Sequence, residues 1–76
     1  MTVVRLLIWN VADSKTTLDE LRAQLPPSGA DVHWIANEAQ ERFGVIAFGE
    51  EPPDVRHVRE LLGTEPAVAE EFDSID

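Results

Sequence analysis

Apolar residues run almost unbroken from Val3 to Val11 and fall on both parities: Val4, Leu6 and Ile8 on one, Val3, Leu7, Trp9 and Val11 on the other. A strand apolar on both sides belongs in the interior of a sheet with both faces covered. Asp13 to Thr17 is a polar break, and Thr17-Leu18-Asp19-Glu20 then fits a capping box, in which the threonine hydroxyl and the glutamate carboxylate each satisfy an orphan amide. Leu18, Leu21 and Leu25 follow at spacings of three and four, which predicts an amphipathic helix over about 16–25, ended by Pro26-Pro27-Ser28-Gly29.

Residues 31–48 admit two readings. As a hairpin, Val32-His33-Trp34-Ile35 is one strand, Asn37 to Glu41 the turn and Arg42 to Phe48 the return strand. As a helix over 31–42, Asp31 is the cap and Val32, Ile35, Ala36 and Ala39 form a stripe. The strand preference of Val, Trp and Ile together favours the hairpin. Glu50-Glu51-Pro52-Pro53 is a loop into a second helix, capped by Asp54, striped by Val55, Val58, Leu61 and Leu62, and ended by Gly63. The segment Pro66 to Phe72 reads either as a fourth strand or, with the residues to 76, as a mobile acidic tail.

The order is therefore β-α-β-β-α-(β) in one domain, 1–76. It predicts an α+β fold of ferredoxin-like βαββα(β) type, an antiparallel sheet with both helices on one face, because right-handed crossovers place them there.

Two strings add a resemblance. Leu6-Leu7-Ile8-Trp9-Asn10-Val11 is similar to a consensus of aliphatic, aromatic, aliphatic, any, Asn, Leu, and Glu41-Arg42-Phe43-Gly44-Val45-Ile46-Ala47-Phe48 to one of basic, Gly, aromatic, Gly, aromatic, aliphatic, any, aromatic. These are the consensus strands of the RNA recognition motif, which the chain resembles across its βαββαβ order. The resemblance implies base stacking on solvent-facing aromatics at positions that fall on Leu7, Phe43 and Val45. Phe43 alone is aromatic, Glu41 replaces the opening base, and Arg42 replaces the first glycine. The strand arrangement is carried over, and the ligand is not.

Charge argues the same way. Fifteen acids against six bases give a net charge of −9, with a pI near 4.4. Glu65, Glu70, Glu71, Asp73 and Asp76 supply −5 of it without a compensating base. Such a surface repels polyphosphate and anionic membranes, so nucleic acid and membrane are disfavoured and a basic protein, or simple solubility, is the natural reading. The longest apolar run, Leu6 to Trp9, is far short of the ~20 residues of a membrane span. Arg5 directly before it and Asn10 directly after it do not match a secretory signal, so a cytoplasmic protein is expected. The absence of cysteine excludes disulfides, thiolate catalysis and cysteine-held metal.

With helices on one side only, the other sheet face is expected to expose apolar surface. The sequence places Arg5, Leu7 and Trp9 there from the first strand and Phe43 and Val45 from the third, with either Val32 and Trp34 or His33 and Ile35 from the second. Leu7, Trp9, Trp34, Phe43 and Val45 are the candidate protein interface of a homodimeric, non-catalytic association or regulatory module, in which Trp9→Glu would abolish pairing. One alternative is a small dimeric enzyme or ligand binder with a pocket at Trp9 and Trp34, reached by His33, Arg5 or Asn10; a second is single-stranded RNA binding. Asp31 and His33, two apart, could form a general base but have no nucleophile beside them. His57 and Glu60, one helical turn apart, make only two metal ligands. No cofactor, metal site or catalytic residue is expected.

Overall fold

The computed structural model describes residues 2–27, 29–50 and 53–75. Ser28, Glu51, Pro52 and Asp76, which the sequence reading puts in loops and at the acidic end, lie outside the described residues. The elements are β1 (Val3–Asn10), a 3-10 turn (Val11–Asp13), α1 (Leu18–Gln24), β2 (Val32–Asn37), β3 (Arg42–Phe48), α2 (Pro53–Leu62) and β4 (Val68–Asp73). The strands make one sheet in the order β2-β3-β1-β4, with every neighbouring pair antiparallel. The fold is α+β, residues 31–48 form a hairpin, and the segment after Pro66 is a strand. β1, the strand apolar on both parities, lies between β3 and β4.

Local chemistry sets the element ends. The capping box forms as expected: the Glu20 amide donates to Thr17 Oγ1 at 3.2 Å and the Thr17 amide to Glu20 Oε2 at 3.3 Å. α1 stops at Gln24, earlier than the spacing of leucines predicts, with Leu25 already extended at φ −78 and ψ 138. The following proline explains this, since its ring disfavours helical geometry in the residue before it. α2 starts at Pro53, so Asp54 sits in the first turn and is not the cap. Proline's fixed φ suits the first helical position, and a carboxylate in that turn complements the helix dipole. Gly63, at φ 69, ends the helix in the left-handed conformation.

The two helices cover one sheet face. Leu21 of α1 and Val55, Val58 and Leu62 of α2 join Leu7, Trp9, Val11, Val32, Phe43 and Val45 in a single buried cluster, with Trp34, Leu18, Leu25 and Leu61 packed against it. This exchanges the two faces of the sheet relative to the sequence reading. Leu7, Trp9, Phe43 and Val45, expected to face outward, are buried beneath the helices, and Trp34 packs with them. The physical reason lies in the tryptophans. Each indole N–H needs an acceptor once its ring is buried, and acceptors lie just beyond the helix ends. Trp9 Nε1 donates to the Thr64 carbonyl at 2.9 Å, and Trp34 Nε1 donates to the Pro26 carbonyl at 2.9 Å.

Phe43 lies between the two indoles, its ring centroid 6.3 Å from that of Trp9 and 6.1 Å from that of Trp34. Offset aromatic packing at such distances adds to the gain from burial. Trp9→Phe keeps much of the ring volume but strands the Thr64 carbonyl. It is expected to cost about 2 kcal/mol, a fall in Tm of roughly 10 °C for a domain of this size, read by thermal denaturation.

Candidate interaction face

Side chains alternate across a strand, so register decides which residues share the other face. Val4 pairs with Phe48 of β3 and Phe72 of β4; Leu6 pairs with Ile46 and Glu70; Ile8 pairs with Gly44 and Val68. On the far side of β3, β2 sets His33 beside Ile46 and Ile35 beside Gly44. The result is an apolar field with His33 at its β2 edge, Glu70 at its β4 edge in the same row, and Asn10, Arg42 and Asn37 along one end. Ile35, Phe48 and Phe72 are 39%, 37% and 51% exposed. Val4, Leu6, Ile8, Ile46 and Val68 are half-buried. Ile75 is 97% exposed, so it does not fold back over the face.

The field is not flat. Gly44 leaves a hollow of about 200 Å³ bounded by Ile8, Ile35, Asn37 and Arg42. A Cβ at this position would come within 2.9 Å of the Leu7 carbonyl oxygen and 3.1 Å of the Ile35 side chain. Close approach of a neighbouring backbone is what requires glycine here.

The remaining candidates separate. Trp9, at 0% exposure, is a core residue, so a charge introduced there would report on folding and not on association. Trp9 and Trp34 line no space between them, because Phe43 occupies it. The positions that the RNA recognition motif would use for stacking, Leu7, Phe43 and Val45, point beneath the helices. Arg5 also lies on the helix side, next to Glu71 at 3.6 Å. Asp31 and His33 are exposed, and the His33 ring meets Phe48 edge-on at 6.1 Å. Glu60 and His57 are exposed on α2, and no three metal-ligating side chains converge among the described residues. Among the described residues no helix is long and apolar enough to cross a membrane.

A separate open groove of about 540 Å³ runs between the start of α1 and the β2–β3 turn, lined by Lys15, Thr16, Asp19, Glu38 and Glu41 among others. The Arg22 guanidinium bridges this region, paired with Glu38 and with Asp19 at 3.8 Å. The sequence reading did not anticipate the groove, since its walls meet only through tertiary packing.

The open face was missed for a legible reason. His33, Asn37, Arg42 and Glu70 are polar residues that fall on its parity, and with register in hand they mark the side that meets water. Compared with known protein families and with curated proteins, the chain matches none. Gly44→Ala is expected to destabilise the domain by about 1–3 kcal/mol through overpacking against the Leu7 backbone. Ile35→Ala in the same chain should recover only part of that loss in chemical denaturation, because the carbonyl contact remains.

Proposed function

We propose that this domain works by association and not by catalysis, pairing with a second copy of itself through the open sheet face of a ferredoxin-like frame. The frame is supported by two split βαβ units. β1-α1-β2 steps over β3 and β3-α2-β4 steps over β1, with the buried residues of both helices on one side of the sheet. The single observation carrying the function is the apolar field of β1, β3, β2 and β4 on the side away from the helices.

A second copy suits the face better than an unrelated partner because the face is complementary to itself. It carries an imidazole at one edge and a carboxylate at the other, and a hollow at Gly44 with Ile8 on its wall. A field of four strands, about 4.8 Å apart, presents roughly 500 Å² once side-chain relief is counted. Two copies would bury about 1,000 Å², the lower bound of specific interfaces. The net charge of each copy opposes a contact of this size, so the pairing is expected to form and separate at micromolar concentration, as suits a regulatory contact.

Sedimentation at two concentrations tests this: a mass approaching twice the 8.5 kDa of the chain is expected at the higher one. Leu6→Lys should return the protein to monomer, raising Kd at least ~100-fold, since it places a charge in the centre of an apolar contact. Its fold should survive, because the new ammonium lies beside Glu70, its cross-strand neighbour. A dimer that persists in this variant would pair elsewhere and sink the reading. Each copy carries −9, so association should also tighten as salt rises from about 0.02 M to about 0.5 M.

A further inference from the structure

We infer that the two copies are related by a two-fold axis running along the strands, between β1 and β3, so that His33 of each copy stands opposite Glu70 of the partner subunit. This rests on the self-association just proposed and specifies its geometry. Aligned sheet-on-sheet packing leaves two isologous solutions. An axis along the strands keeps every register row and exchanges strands, β3 over the partner's β1 and β2 over the partner's β4. An axis across the strands lays each strand over its own copy and reverses the rows.

The row containing Leu6 discriminates between them. It reads His33, Ile46, Leu6, Glu70 from edge to edge. With the axis along the strands, Leu6 meets the partner's Ile46 and each rim of the contact pairs an imidazole with a carboxylate. One row on, Ile8 lies over the hollow that the partner's Gly44 leaves. With the axis across the strands through this row, Glu70 faces the partner's Glu70 and His33 the partner's His33. Shifting that axis by half a row spacing sets Glu70 against the partner's Val68 in one direction and the partner's Phe72 in the other, burying its charge on apolar surface without a partner. A polar pair at the rim orients a contact more than it tightens it. The charged neighbour of His33 on its own strand face is Asp31; from β3 it faces only Ile46 and Phe48. Among the described residues of those elements, Asp31 is therefore the one carboxylate that competes with the partner's Glu70 for His33.

The chain has no cysteine, so engineered thiols report without background. His33→Cys and Glu70→Cys proteins, mixed in equal amounts and treated with a short bis-maleimide, are expected to cross-link as the mixed pair and only weakly as either protein alone. Efficient cross-linking of either variant by itself, or none in the mixture while sedimentation still shows a Leu6→Lys-sensitive dimer, would overturn the axis. Absence of that dimer in the unmodified protein would instead remove the association on which the axis rests. Glu70→Gln gives an independent sign: loss of the rim pair should raise Kd about threefold. A Kd lower than that of Glu71→Gln, which removes the same net charge from the other face of β4, would mean that two carboxylates had been facing each other, and would also overturn the proposal.

Discussion

Two indole N–H groups hold this fold in its orientation. Trp9 and Trp34 bury their rings against Phe43, and a buried indole without an acceptor costs about as much as a lost hydrogen bond. The acceptors are the Thr64 and Pro26 carbonyls, each placed where the chain leaves a helix. Each tryptophan therefore ties a strand to the end of the helix packed over it, Trp9 to the end of α2 and Trp34 to the end of α1. Turning the sheet over would separate both donors from their acceptors and bring Gly44, which has no side chain to bury, into the centre of the core. The choice of face is made at these contacts, and the rest of the molecule follows from it.

Once that face is filled, the other is determined. β1 is apolar on both parities and lies inside the sheet, so covering one side leaves Val4, Leu6 and Ile8 on the other, joined by Ile46, Phe48 and Phe72 from its neighbours. The outer strand β4 carries Glu70, Glu71 and Asp73, and acidic side chains on an edge strand discourage pairing through its free backbone groups. Charge protects the β4 edge while the face it borders stays apolar. That combination leaves the face, and not the edge, as the surface through which the proposed association would run.

Element types were legible because they depend on local patterns. The capping box at Thr17, the leucine spacing, the proline breaks and the two-sided apolarity of β1 each produce the element expected of them. Boundaries moved where a proline acts on its neighbour, shortening α1 at Leu25 and starting α2 at Pro53. The hairpin over 31–48 and the strand after Pro66 were ambiguous because short apolar runs fit more than one period; pairing with β3 and β1 decided them. The interface residues were illegible for a different reason. A strand apolar on both sides gives no sign of which parity faces the helices, and a one-residue change of parity moves every candidate to the opposite face. The polar residues that settle it, Asn10, His33, Asn37, Arg42 and Glu70, come from four strands and align only when all registers are known.

Size gives the open face its further significance. A chain of 76 residues buries a smaller share of its surface than a larger domain does, and its core has little stability to spare. Here there is no disulfide to supplement it. Anything that binds the folded state and not the unfolded one adds stability by mass action, so a face that pairs only when all four strands are in register couples folding to association. The opposing term is the net charge, which doubles when two copies meet and favours separation at low ionic strength. An apolar field near the lower bound of stable interfaces, set against that repulsion, would under the proposed pairing give an equilibrium that responds to concentration and salt instead of a permanent dimer, with the acidic surface setting how readily the apolar face is used.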